Sequence, residues 1–224
     1  MKYFAIIVAG GSGNRMQTET PKQFLLLNNL PVLMHTIKAF ASSEFQPKIL
    51  VVLNQQQHSY WAKLCREFNF NVPHEVIAGG SERFHSVKNA IDTISEESVI
   101  SIHDAVRPVI SKKLIDKSFQ YALEHGNVIA AIKPIDSIRK QTGENTEAVN
   151  RDDFFMIQTP QVFKSGIIKK AYNLPFTHHF TDDASVAEAS GIKINLIEGE
   201  RNNIKITYPA DLEIAEWFLK KNAL

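Results

Sequence analysis

The chain has 224 residues, 44% of them hydrophobic, with Lys+Arg 25 against Asp+Glu 24 and a formal charge of +1. That length supports one sizeable core, so residues 1–224 are read as one α/β domain, and the balanced charge excludes a global field for nucleic acid or an acidic membrane. Cys65 is the only cysteine, which excludes an internal disulfide and a cysteine metal cluster; with no signal-type N-terminus and no membrane-length apolar run, a soluble, cytoplasmic protein is expected.

The apolar run that begins at Tyr3 predicts a strand covered on both faces. Glycine then takes over: Gly10, Gly11 and Gly13, with Ser12 between, can turn the backbone and leave no Cβ between its N–H groups and a ligand. Arg15 and Lys22 place positive charge on both sides of this loop, which suits a phosphate. Neither common glycine motif fits, because Met16 stands where a dinucleotide fingerprint needs a third small residue and no Gly-Lys-Ser/Thr follows.

Pro31 to Phe40 has helical apolar spacing, Lys48 to Leu53 reads as a strand and Gln56 to Phe68 as a second helix, giving a nucleotide-binding α/β order. Glu75 to Ala78 is a short strand ended by Gly79-Gly80. Ser81 to Ile94 is a helix with Ser81 as its cap. Ser98 to Ile102 makes a fourth strand, stopping at His103-Asp104, so H-D-A-V-R-P puts a carboxylate and a guanidinium just past a strand end, where open parallel sheets bind ligands.

Lys112 to Glu124 looks helical and Asn127 to Pro134 is a further strand. Asp136 to Phe155 is polar, lacks helical spacing and carries Gly143, which predicts a protruding β-hairpin arm. Two helical stretches flank Thr181-Asp182-Asp183, with Thr181 or Asp182 as N-cap. Lys193 to Ile197 and Asn203 to Thr207 are late strand candidates, Pro209 to Lys220 closes with an amphipathic helix, and no internal repeat is found.

A-G-G-S-G-N-R-M, P-K-Q-F, G-G-S-E-R-F-H-S-V, H-D-A-V-R-P, Q-T-P-Q, T-D-D-A-S and N-N-I-K-I-T occur in this order across nearly the whole chain. Together they resemble the 2-C-methyl-D-erythritol 4-phosphate cytidylyltransferase family. The resemblance implies a Rossmann-like domain with a mostly parallel mixed sheet, helices on both faces and an arm that holds a homodimer. It implies transfer of CMP from CTP to a methylerythritol phosphate with release of pyrophosphate, in non-mevalonate isoprenoid synthesis. Since an ionised phosphate is the nucleophile, positioning and fixed cations suffice and no dedicated base is expected.

By that resemblance, Arg15 and Lys22 are the catalytic pair, and the backbone of Ala9, Gly10, Gly11, Ser12 and Gly13 wraps the nucleotide. Gly80, Ser81, Arg83 and Ser86 match the part that holds the base, with the Ser86 hydroxyl donating to cytosine O2. Asp104 matches the residue beside a Mg2+ ion that bridges the triphosphate, and Ala105 also lies on the nucleotide side. Arg107, Ser137, Arg151, Thr159, Thr181, Asp182 and Lys205 match the acceptor side, Ser137 and Arg151 reaching from the arm into the neighbouring subunit. His103 is expected to orient its neighbours.

Two rival readings remain. Ribitol 5-phosphate cytidylyltransferases share most of these motifs, although T-D-D-A-S-V favours the methylerythritol enzyme. A non-catalytic nucleotide sensor would be expected to lose its catalytic cations, yet Arg15, Lys22 and Lys205 are all present, as is Asp104.

Overall fold

The structure, a computed structural model, describes residues 1–10 and 20–222. β1 (Lys2–Val8) is followed, beyond a 3-10 turn at Lys22–Phe24, by the short β2 (Leu26–Leu27) and β3 (Leu30–Pro31). α1 (Val32–Ala41), β4 (Lys48–Leu53), α2 (His58–Glu67), β5 (Glu75–Ala78), α3 (Arg83–Asp92) and β6 (Ser98–Asp104) then alternate. α4 (Lys112–His125) and β7 (Asn127–Ile132) lead to the arm, β8 (Ile138–Thr142) and β9 (Asn145–Val149). β10 (Met156–Lys164), α5 (Ser165–Ala171), α6 (Asp183–Ala189), β11 (Leu196–Glu198) and α7 (Pro209–Asn222) complete the chain.

The main sheet has seven strands in the order β11-β7-β10-β6-β1-β4-β5. β1 pairs in parallel with β4 and β6, β4 with β5, and β11 with β7, whereas β10 runs antiparallel to both β6 and β7. The expected mixed, mostly parallel sheet is therefore found. β1 shows why its run is continuously apolar: Ala5 and Ile7 enter the core beneath α1, α2 and α4, while Phe4 and Ile6 enter the one beneath α3, α5 and α6. A strand covered on both faces has no polar side. A third, smaller cluster joins Val106, Val109, Ile206 and Ala215, so the segment around Ile206 is pressed between the turn after β6 and α7.

The arm is a hairpin separate from the main sheet, turned at Gly143 with φ +62 and exposed along most of both strands. Three local expectations need correction. Ser81 does not cap α3: the N-cap is Glu82, no side chain caps it, and the Ser81 hydroxyl instead meets His85 Nδ1 at 3.0 Å. Asp104 is the last residue of β6 rather than beyond it. Asn203 to Thr207 forms no strand; its backbone is held by the Ile206 N–H donating to Val106 O at 2.9 Å and by burial of the Ile206 side chain.

Candidate active site

The parallel strands β1, β4 and β6 end on one rim of the sheet, and the described motif residues gather there. The Ala9 N–H donates to Val52 O at 2.8 Å and the buried Gln23 amide donates to Ala9 O at 2.9 Å, which fixes the main chain as it leaves β1. Beside it, the Ala105 N–H donates to Val8 O at 3.0 Å and the Thr36 hydroxyl donates to Ala105 O at 2.7 Å. Gly11, Ser12, Gly13 and Arg15 lie outside the described residues. Lys22, on the 3-10 turn that follows them, donates from Nζ to Ile206 O at 3.0 Å, next in the chain to Lys205.

Where the base is expected, the buried Ser86 hydroxyl accepts the Gly80 N–H at 3.0 Å, a bond that leaves its own proton free to donate. A Cβ on Gly10 would lie 3.4 Å from that oxygen and one on Gly79 3.2 Å, so Ser86 sits where the turns after β1 and β5 converge. A Cβ on Gly80 would come within 2.4 Å of the His85 Cβ, so glycine is required there. Arg83, expected on the base side, has its guanidinium committed to carboxylates. It grips the buried Asp183 carboxylate through two hydrogen bonds of 2.8 and 2.7 Å and brings Nε to 3.6 Å from Asp104.

Asp104 is the centre of the rim. Its Oδ2 lies 2.8 Å from Lys205 Nζ and 3.6 Å from Arg107 Nε, and its Oδ1 3.6 Å from Arg83 Nε. Burial alone would raise this carboxyl's pKa; the opposing charges of Arg83, Lys205 and Arg107 hold it far below the usual range. The group is an anion at any working pH. Asp183 is itself held by Arg83 and by the Tyr172 hydroxyl at 2.6 Å, and burial together with Asp183 raises that phenol's pKa so that it stays a donor.

Behind the carboxylate, the Asp104 N–H donates to Thr159 Oγ1 at 3.1 Å, and that hydroxyl meets His103 Nδ1 at 3.0 Å. His103 Nε2 meets Arg107 O at 3.2 Å, and Arg107 Nη1 donates to Asn203 O at 2.8 Å. Because the Arg107 carbonyl can only accept, the neutral imidazole carries its proton on Nε2, and the Thr159 hydroxyl therefore donates to Nδ1. Burial pushes His103 down to a pKa of about 4, so it is a neutral strut. Thr159, expected to touch the acceptor, is buried with its hydroxyl committed to this strut.

The other acceptor-side residues divide. Lys205 faces the rim and Arg107 lies beneath it, whereas the Asp182 carboxylate is spent on α6: it caps Ser185 N at 2.9 Å and accepts from Gln161 at 2.8 Å. Thr181, just before it, is exposed. Ser137 and Arg151 lie on the exposed arm, where Arg151 donates to Ile135 O; neither contacts the Asp104 cluster. Asp183, Gln158, Gln161 and Asn203 were not singled out from the sequence. The available signal was polarity where β10 should be apolar, since Gln158, Thr159 and Gln161 are all buried.

Cations converging on one carboxylate at the C-terminal rim of a mostly parallel sheet, beside the Gly79-Gly80 turn, suit an anionic ligand at the edge where open α/β sheets bind, as a nucleotidyltransferase requires. The comparisons make this specific. Residues 3–221 match the family model IspD: 2-C-methyl-D-erythritol 4-phosphate cytidylyltransferase, and the chain belongs to that family. A 2-C-methyl-D-erythritol 4-phosphate cytidylyltransferase from Azobacteroides pseudotrichonymphae is 46% identical over 214 residues, 95% of this chain and 96% of the relative. One from Bacteroides fragilis is 45% identical over 215 residues, 96% of this chain and 98% of the relative. Among solved structures, 4-diphosphocytidyl-2C-methyl-D-erythritol synthase from Anaerococcus prevotii superposes with a TM-score of 0.82 at 26% identity, covering 98% of this chain and 96% of that one.

Proposed function

We propose that the Asp104 rim carries the family's reaction: the acceptor phosphate of 2-C-methyl-D-erythritol 4-phosphate attacks the α-phosphorus of CTP, forming 4-diphosphocytidyl-2-C-methyl-D-erythritol. A new P–O bond forms to the acceptor oxygen, the bond to the β-phosphate breaks, and pyrophosphate leaves with the electron pair. The carrying observation is that Arg83, Arg107 and Lys205 converge on Asp104 while Lys22 anchors one residue from Lys205. Two anions can approach each other only where such fixed positive charge offsets their repulsion.

In this reading Lys22 and Arg15 stabilise the charge that develops at the α-phosphorus. Ala9 to Gly13, Gly80, Ser81, Ser86 and Ala105 hold CTP, with the Ser86 hydroxyl turned to the base. Lys205, Arg107 and Thr181 receive the acceptor phosphate, and Thr159 and Asp182 serve it by holding that arrangement. Arg83 acts through Asp104 and Asp183 rather than on the base.

Asp104 fits a magnesium ion carried mainly by the triphosphate. Among the described residues no group of three or more His, Cys, Asp or Glu could hold a metal by itself, and magnesium commonly uses one or two carboxylates with substrate phosphates. When bound, such an ion would neutralise triphosphate charge. The arm, with exposed Phe154, Phe155, Met156 and Ile157 at its base and Ile135 nearby, suits burial against a second copy, where Ser137 and Arg151 would meet the partner's acceptor. Cys65 is unpaired, in keeping with the reducing cytoplasm, and among the described residues no helix is long and apolar enough to cross a membrane.

The test is pyrophosphate release from CTP with magnesium and each of two acceptors, 2-C-methyl-D-erythritol 4-phosphate and ribitol 5-phosphate. Turnover with the first and little with the second is expected. Preference for ribitol 5-phosphate, or CTP binding without transfer to either, rejects the reading. Light scattering on the same sample should give twice the chain mass.

A further inference from the structure

Gln158 and Gln161 are nearly inaccessible, and both ends of each amide are bonded within the protein. Gln158 donates from Nε2 to Glu200 O at 2.8 Å and accepts the Glu200 N–H on Oε1 at 3.2 Å, so it pairs with that residue as a neighbouring strand would. The turn is fitted closely to this amide, since a Cβ on Gly199 would lie 2.4 Å from Gln158 Oε1. Asn203 adds a bond from Nδ2 to Thr159 O at 2.8 Å, and its carbonyl receives Arg107. Lys205 follows two residues later.

Gln161 works in the other direction. Its Oε1 accepts the Ala184 N–H at 2.8 Å and its Nε2 donates to Asp182 Oδ2 at 2.8 Å, which sets the first turn of α6 and the chain at Thr181. Between them Thr159 bonds to His103 and to the Asp104 N–H. A register shift in the pairing of β10 with β7 between Ile157 and Gln161 spares Pro160 a ladder bond it cannot make. Q-T-P-Q therefore ties together the turn before Lys205, the end of β6 and the start of α6.

We propose that Gln158 and Gln161 are positioning residues for the acceptor phosphate, acting through the Lys205 segment and through Thr181 without touching either substrate. The inference rests on the reading that Lys205, Arg107 and Thr181 form the acceptor side. CTP should be little affected, because the Ala9, Gly80 and Ser86 contacts do not pass through β10.

Gln158→Met and Gln161→Met keep length and remove the amides. With wild type alongside, KM for 2-C-methyl-D-erythritol 4-phosphate should rise roughly tenfold or more in each, since small misplacements of positioning groups are costly, while KM for CTP stays within about twofold. Gln158→Asn, which keeps both amide functions on a side chain one methylene shorter and adds no charge, should fall between and serves if the Met variants fail to fold. Equal movement of both KM values, or unchanged acceptor KM in a folded variant, overturns the inference. Absence of wild-type transfer instead rejects the functional reading, and this inference with it.

Discussion

Asp104→Asn tests the electrostatic centre most directly. The exchange keeps size and removes the carboxylate that Lys205 and Arg107 share among the described residues, leaving three cations around a neutral amide. Stranding a buried charge typically costs about 3–5 kcal/mol. Two features reduce this: the Lys205 side chain is 42% exposed and can turn to water, and Arg83 keeps Asp183. A loss of about 2–3 kcal/mol is therefore expected, below the usual buried-pair cost, which for a chain of this size lowers the melting midpoint by roughly 4–12 °C. Calorimetry near pH 7.5 would measure it.

The pH dependence supplies a second readout from the same pair of proteins. The Asp104 pKa is depressed in the folded state, so its stabilisation is complete above the ordinary carboxylate range and is lost as pH falls through and below about 4. The gap between wild type and Asp104→Asn should narrow over that window. Added pyrophosphate should raise the variant's midpoint, since the stranded cations bind an anion in place of the carboxylate. A variant that melts within about 2 °C of wild type, with no response to pyrophosphate, would refute the argument that Asp104 organises these cations.

Lys22→Ala and Arg15→Ala should each lower kcat by on the order of hundredfold or more, equivalent to roughly 2.7–4 kcal/mol, with the circular dichroism spectrum unchanged; near-normal turnover removes that residue from the mechanism. Ser86→Ala leaves the Gly80 N–H without its acceptor and should raise KM for CTP with little change in acceptor KM, read by initial rates. His103→Gln should alter the acid limb of stability: with the imidazole depressed to about 4 from its ordinary 6.5, wild type loses stability as pH falls from about 6.5 towards 4, because the unfolded chain takes up the proton first. That decline should be shallower in the variant, as followed by thermal melts across the range.

Much of the fold could be read from hydrophobic patterning. The uninterrupted apolar run of β1 announced a strand with two covered faces, and the polar stretch around Gly143 announced the hairpin. β10 was not legible because its buried Gln158, Thr159 and Gln161 mimic a loop composition; their polarity is satisfied mainly by segments far along the chain. Alternation in I-K-I-T suggested a strand, yet Ile204 and Ile206 alternate because one side of the segment packs toward α7 while Lys205 turns to Asp104. The motif order put Asp104 on the nucleotide side and Lys205 on the acceptor side of one expected site, and the structure brings the two side chains within 2.8 Å. It could not show that Arg83 leans on Asp183, since a bidentate pairing across about a hundred residues leaves no local trace.

β6 and β7 never pair with each other; β10 lies between them and bonds to both. Until Met156 to Lys164 has left the ribosome, the main sheet exists only as two separate pieces, β5-β4-β1-β6 and the lone β7, each presenting an open edge. Insertion of a single reversed strand then joins the β6 edge to one side of β7 and delivers its own glutamines toward the rim in the same event. β11 and Lys205 lie further along the chain still, so a nascent chain halted before residue 205 has neither the seven-stranded sheet nor the full set of cations around Asp104.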